Sequence, residues 1–384
     1  MARKSTSTAQ KEVLLYSDSE MNSDMLYFGG VFVPDPFIAF SCRGSRIAVV
    51  SRLEFGRVRK ESRFDEVLSM EEVVGLARKS SKRKTFSYPA SAIAYLARRH
   101  GIKEFMVGAD FPCGPAFELR ELGVRLSVAD GMLLPERELK SDQEAEFIKQ
   151  GNAASSAGFR VVEKLLRESV VQRGYLYHSG RRLTSERVQE AIAVECLKRG
   201  AVSSNTIVAG GDQACDPHCR GFGPLRANEL IIVDIFPRVA STGYHGDMTR
   251  TYLKGSASEA QKELYHTVLE AERAATKEHR SGKSATKIYH SVVKTFESKG
   301  YRTGMDKGVP VGFIHGLGHG LGLAVHEPPR VNPSGSRLRA GQVITVEPGL
   351  YYPGLGGVRV EDVVRVRKGE PELLSRHGYR WQIR

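Results

Sequence analysis

The residues with the most chemistry in them lie late in the chain. From His315 to Glu327 the sequence reads His-Gly-Leu-Gly-His-Gly-Leu-Gly-Leu-Ala-Val-His-Glu, so His315, His319 and His326 alternate with Gly316, Gly318, Gly320 and Gly322. Each glycine would cost a helix roughly 1 kcal/mol relative to alanine, which predicts a strand or loop here and not the helix of a zincin. Glycine also lets backbone approach backbone or a ligand closely. Acids stand in otherwise apolar runs: Asp234 in 229–236, Asp247 just ahead of 248–253, Glu347 in 342–352 and Glu361 in 357–366. A carboxylate in an apolar strand is costly to bury unless it is paired or binds a cation.

Those four acids and one histidine of the glycine-rich segment would make an oxygen-rich site. Clustered carboxylates cannot all ionise unless cations neutralise them, and four negative charges match two divalent ions. Oxygen ligands with a single nitrogen suit manganese, cobalt, iron or zinc, not a thiolate-type structural zinc. Paired ions of that kind activate water and polarise a carbonyl, so hydrolysis is the expected reaction.

The elements that must position these groups are read from periodicity. Strands are expected at 229–236, 248–253, 342–352 and 357–366, with Thr345 and Glu347 on one face and Arg359, Glu361 and Val363 on one face. Helices are expected over about 142–171, 185–200, 258–280 and 284–299, with Ser258 and Gln261 as a capping box. Upstream, strands at 37–42, 46–51, 104–108 and 124–128 and a helix at 90–100 stopped by Gly101 describe a smaller α/β domain. Pro135 and the charges of 136–140 mark the boundary, giving a flexible tail at 1–11, an N-terminal domain at 12–135 and a second domain at 136–384.

Composition sets the outer bounds. At 384 residues two cores are expected, and no stretch approaches the apolar length of a membrane span. The opening residues do not read as a secretory signal. Five scattered cysteines argue against a disulfide framework and for a reducing compartment, the cytoplasm being the expectation. The net charge of +13, with basic runs at 57–60 and 78–84, raises nucleic-acid binding. No recognition motif accompanies the charge, so the runs are read as solvated surface. Cys215, His218 and Cys219 lack the second ligand pair of a zinc knuckle. His100, His178, His266, His279, His290 and His377 are read as surface or packing residues without partners, and His245 as a turn residue.

Taken together, Gly-Tyr-His-Gly-Asp247-Met-Thr-Arg-Thr, the His315–Glu327 segment, Thr345-Val-Glu347-Pro-Gly and Gly357-Val-Arg-Val-Glu361-Asp resemble the pita-bread metallopeptidases over about 140–366. That group includes methionine aminopeptidase, Xaa-Pro aminopeptidase, Xaa-Pro dipeptidase (prolidase) and creatinase. The resemblance implies an α/β (α+β) chain: a C-terminal pita-bread domain, a curved antiparallel sheet flanked by helices, behind the creatinase-like N-terminal domain of the prolidase branch. It implies that Asp234 chelates one metal, that His319 and Glu347 hold the other, and that Asp247 and Glu361 bridge both. Glu347 would also accept a proton, His326 would stabilise the tetrahedral intermediate, and His218 would contact substrate near the scissile nitrogen. His315 would line the pocket, and Arg359 would orient a bridging carboxylate. Arg330, in His-Glu-Pro-Pro-Arg, is a candidate clamp for a substrate carboxylate.

The implied activity is removal of an N-terminal residue that precedes proline, from a dipeptide or a longer peptide, with two divalent ions, manganese first and cobalt, zinc or iron as alternatives. A homodimer is expected, and nucleic acid and membrane are not expected partners. A creatinase-like amidinohydrolase and a non-catalytic scaffold are the competing readings. One departure stands out. Asp234 and Asp247 are thirteen positions apart, two more than is usual in the family, and Phe236 stands where a glycine is common.

Overall fold

The computed structural model describes residues 11–80 and 86–384. The expected tail lies outside the described residues apart from Lys11, whose ammonium meets Glu104 at 2.6 Å. Residues 81–84 of the second basic run also lie outside them. The chain forms two compact units, the first ending at Glu136 and the second spanning Arg137–Arg384.

The first unit is built on a six-stranded mixed sheet in the spatial order Glu66–Ser69, Ser45–Val50, Phe37–Cys42, Glu12–Ser17, Glu104–Val107, Arg125–Val128. Side-chain alternation divides its core. Leu14, Ile38, Phe40 and Val49 join the helix Tyr88–His100 on one face, while Leu15, Ala39, Ala48 and Val50 pack with Met25, Phe28 and Val58 on the other. Gly101 ends that helix in the left-handed conformation at φ 71°.

In the second unit the antiparallel trio Ile207–Gly210, Leu230–Ile235 and Met248–Lys254 forms one sheet with the C-terminal Gln382–Ile383. Another sheet runs Glu327–Val331, Gly318–Gly320, Val343–Val346, Asp362–Arg365, Glu372–Leu373. The helices Asp142–Glu168 and Ser185–Lys198 bury Phe159, Val162, Val188 and Ile192 against Ile231, Val233 and Ile235. The helices Glu259–Glu278 and Ala285–Ser298 bury Leu264, Val268, Ile288 and Phe296 with Ile344, Val346 and Val364. Ser258 and Gln261 make the reciprocal capping box. Among the described residues no helix is long and apolar enough to cross a membrane.

The structure corrects two strand boundaries. The runs 342–352 and 357–366 are not single strands: the first divides into Val343–Val346 and Gly349–Tyr352, the second into Gly356–Arg359 and Asp362–Arg365. Their outer halves pair in the five-stranded sheet and their inner halves form a separate hairpin. Pro348 has no N–H for a ladder, so the chain leaves one sheet for the other there. Glu347 and Glu361 each fall at the break. The longer Asp234–Asp247 connection leaves its strands in register, with Asp234 opposite Thr249 and Ile235 opposite Met248. Its extra length forms a tight turn, in which the Val239 N–H donates to the Tyr244 carbonyl at 2.8 Å.

Glu272, buried in the Glu259–Glu278 helix, accepts a hydrogen bond from Thr276 at 2.7 Å through one oxygen, and its other oxygen has no partner among the described residues. Burial pushes its carboxyl up to about 7, nearby Asp362 adding to the shift and Thr276, Arg250 and Arg273 opposing it. The folded value exceeds the ordinary 4.5, so this group's contribution is complete below that pH and is lost as pH rises through about 7. Glu272→Gln is therefore expected to melt above wild type at pH 8, by up to about 3 kcal/mol, with the gap closing towards pH 5. Thermal denaturation across that range checks it.

Candidate metal centre

A cavity of about 910 Å³ in the second unit is lined by all ten residues singled out above: His218, Asp234, Asp247, His315, His319, His326, Arg330, Glu347, Arg359 and Glu361. The carboxylates arrive from both sheets. Asp234 is next to last in its strand, with Ile207 and Thr249 opposite it on either side. Asp247 lies just ahead of the next strand, its N–H donating to Asn152 Oδ1 at 2.9 Å. Glu361 is held by two groups of one residue, accepting from the Thr249 hydroxyl at 2.8 Å and donating its N–H to the Thr249 carbonyl at 3.1 Å.

The glycines of the His315–Glu327 segment are explained by close approach. A Cβ on Gly318 would lie 1.9 Å from the Thr345 carbonyl oxygen, and one on Gly320 would lie 2.1 Å from that of Pro328. Backbone cannot yield as a side chain can, so glycine is needed to set His319 between its neighbouring strands. The His319 N–H donates to the Thr345 hydroxyl at 3.1 Å, and that hydroxyl donates to Glu347 at 3.3 Å.

His319 Nδ1 lies 3.1 Å from the Gly320 carbonyl, which can only accept, so Nδ1 carries the proton and Nε2 presents its lone pair. Nε2 points at Glu347 Oε1, 3.3 Å away, and Asp247 Oδ2, 3.7 Å away. Burial, with His326 beside it, holds the imidazole down at about 3, so it is neutral near pH 7. Burial pushes Asp247 and Glu361 well above the carboxylate range, and neighbouring carboxylates add to both shifts. Glu347 is pushed up to about 7 by burial, with Asp234 adding and Arg359 opposing. One Asp234 oxygen accepts from Arg359 at 2.8 Å, and the other is buried without a partner among the described residues.

Ligand atoms of Asp247, His319 and Glu361 lie within 4.8 Å of one another. Crowded acids reluctant to ionise, a lone pair aimed among them and an orphaned carboxylate oxygen are what a divalent cation would satisfy together. The donor set fits a metal.

Around this cluster the remaining residues take distinct places. Arg359 reaches Asp234 directly, Tyr351 OH at 3.1 Å and Thr249 Oγ1 at 3.2 Å. Its carboxylate partner is thus Asp234 and not one of the expected bridging acids, because the hairpin carrying Arg359 packs beside the Asp234 strand. Half-buried His315 bonds Tyr351 OH at 2.8 Å and the Gly316 carbonyl at 2.7 Å. His326 and Arg330 are exposed in the cavity, the His326 ring standing edge-on to His319 with centroids 4.3 Å apart. His218 is exposed in the loop after Gly211–Cys215.

Two of the histidines read as partnerless are bonded, and one of them, His279, is fully buried. His377 pairs with Glu163 at 2.9 Å, and His279 Nδ1 bonds the Ala275 carbonyl at 2.7 Å. His178 also has a partner, Glu168, at 3.3 Å. Thr249, Tyr351 and Asn152 were not foreseen. Thr249 and Tyr351 stand within or just beyond the motifs that carry the acids, but Asn152 lies on a distant helix and has no local signal.

The model of metallopeptidase family M24 matches residues 146–368. An uncharacterized peptidase of Staphylococcus aureus (strain MRSA252) is 34% identical over 243 residues, covering 63% of this chain and 63% of that protein. The alignment thus takes in less than two thirds of either chain. Among solved structures, the prolidase from Pyrococcus horikoshii OT3 is 24% identical with TM-score 0.77, covering 96% of this chain and 95% of that one. The Xaa-Pro dipeptidase from Bacillus anthracis is 21% identical with TM-score 0.80, covering 97% and 95%. The X-Pro aminopeptidase from Thermotoga maritima MSB8 is 22% identical with TM-score 0.78, covering 97% of each. The likeness establishes the fold, a pita-bread domain preceded by a smaller α/β domain.

If the cluster takes up metal, Mn²⁺ at 100 times its dissociation constant should stabilise the chain by about 2.7 kcal/mol, reversibly by chelator. Asp247→Asn should melt above metal-free wild type at neutral pH, having lost a buried acid, yet gain nothing from Mn²⁺. Melting curves with Mn²⁺ and with EDTA test both statements.

Proposed function

The chain belongs to metallopeptidase family M24, and on that premise we propose that it is a metal-dependent peptidase cleaving between an N-terminal residue and a following proline. The observation that carries the reading is the buried cluster of Asp247, His319 and Glu361, with Asp234 and Glu347 beside it in one cavity. The choice of Xaa-Pro substrates is supported by the fold shared with prolidases and Xaa-Pro aminopeptidases.

Asp234 would hold one ion, His319 and Glu347 the other, and Asp247 and Glu361 both. Manganese is the first expectation and cobalt, zinc or iron the alternatives. Such ions supply Lewis-acid polarisation of the scissile carbonyl and an activated water. Glu347 accepts the proton of the attacking water and passes it to the leaving nitrogen. His326, beside His319 at the open side of the cavity, stabilises the oxygen of the tetrahedral intermediate. His218 contacts substrate near the scissile nitrogen. His315 forms the wall, its ring fixed by Tyr351. Arg359 orients Asp234.

Arg330 is opposite His319 in the strand register and faces the cavity. Its guanidinium would take the free C-terminal carboxylate of a short substrate in a bidentate pair, which favours a dipeptide. We further propose that the protein acts in the cytoplasm, where its five cysteines stay reduced, and as a homodimer.

The deciding experiment is hydrolysis of an Xaa-Pro dipeptide and a longer Xaa-Pro peptide by metal-stripped protein resupplied with manganese, cobalt or zinc. Dipeptide cleavage restored by metal is the expected result, and no cleavage of either peptide with any metal overturns the reading. Glu347→Gln should lower kcat by on the order of 10²–10⁴-fold. Arg330→Ala should raise KM for the dipeptide roughly 10–100-fold, the worth of a lost charge-assisted pair, with a smaller change for the longer peptide.

A further inference from the structure

Glu327 follows His326 directly, yet it is buried, 4% exposed, and belongs to a different set of contacts. Its carboxylate accepts from Arg137 Nη2 at 2.8 Å and from Lys140 Nζ, both of them buried as well. The two cations come from the first residues of the second unit, ahead of the Asp142–Glu168 helix.

This group lies directly beneath the loop 321–326, which joins His319 to His326. A Cβ on Gly322 would sit 2.6 Å from Glu327 Oε1 and 3.0 Å from Lys140 Cε. The Ala324 N–H faces Glu327 Oε2 at 3.4 Å. The loop is also tied through its backbone, Leu321 N–H to the Val343 carbonyl at 3.0 Å and His245 N–H to the Gly322 carbonyl at 2.9 Å. The far end of the loop is functional: the His326 ring stands edge-on to the His319 imidazole, with centroids 4.3 Å apart.

A buried ion pair is a poor source of net stability, because desolvation offsets the attraction, and its best-attested use is to select one arrangement. Here the arrangement selected is that of the loop. We propose that Glu327, clamped between Arg137 and Lys140, is a positioning residue: it fixes the loop 321–326, and through it the place of His326. It touches neither substrate nor metal. The inference rests on the peptidase reading above.

The test is a double-mutant cycle on the metal-loaded enzyme with an Xaa-Pro dipeptide. Glu327→Gln is expected to lower kcat about 10–100-fold, the usual weight of an outer-shell partner, with KM nearly unchanged and metal content per chain unchanged. Combined with His326→Ala it should be no slower than His326→Ala alone, because both changes remove the same contribution. Losses that multiply, an unchanged kcat, or lost metal would each overturn the proposal. Should Glu327→Gln fail to fold, Lys140→Met leaves an Arg137–Glu327 pair and must show the same non-additivity with His326→Ala. An activity-independent reading uses the histidine-ring NMR signals of zinc-loaded protein, with His326 assigned by its loss in His326→Ala. A shifted or split His326 signal in Glu327→Gln supports the clamp, and an unmoved one overturns it. If wild type cleaves no Xaa-Pro peptide, the peptidase reading falls and this second reading still judges the clamp.

Discussion

Four carboxylates converge in one cavity, and the cost of holding them there explains much of the surrounding structure. Like charges in a poorly solvated space repel and lose hydration together. Asp247 and Glu361 are accordingly driven well above the usual carboxylate range, each mainly by burial and then by its acidic neighbours. A scaffold that keeps them close must fix each in place. Thr249 does so for Glu361 by hydroxyl and carbonyl, Asn152 anchors the Asp247 backbone, and Arg359 takes one oxygen of Asp234.

A second layer holds the first. Arg250 and Asp362 form a fully buried pair at 2.9 Å, and Arg250 also donates to the Thr249 and Glu361 carbonyls at 2.9 and 2.7 Å. Ser375 and Tyr379 complete the shell of Asp362 at 2.6 and 2.8 Å. Such a network contributes little net stability compared with apolar packing, but when every member is satisfied it admits one geometry. The Arg137–Glu327–Lys140 group is a second buried ionic cluster, on the histidine side. Two polar clusters, one under each half of the site, set side chains that apolar packing alone would leave free to rotate.

The breaks in the strands serve the same constraint. Were 342–352 and 357–366 continuous, Glu347 and Glu361 would sit inside a ladder. Instead each lies where the chain passes from one sheet to the other, with its N–H bonded across to Leu317 and Thr249 respectively. The alternation of faces survives the break: Thr345 still reaches Glu347, and Thr249 still touches both Arg359 and Glu361.

Much of this was legible in the sequence, for reasons local to it. Helix positions follow from apolar spacing and from caps such as Ser258 with Gln261. The acids announce themselves by standing in apolar runs, and Gly318 and Gly320 by their density. The resemblance of the motifs then singled out His319 among the three histidines. What the sequence could not decide is what depends on residues far apart in the chain. Asn152 lies 95 positions from Asp247, and Arg137 lies 190 from Glu327. The partner of Arg359, the breaks at Glu347 and Glu361, the burial of His279 and the pairing of His377 likewise depend on how sheets and helices meet. Periodicity reports which face a residue occupies. Only the tertiary structure decides what that face meets, because burial and pairing are properties of the assembled neighbours and not of the residue itself.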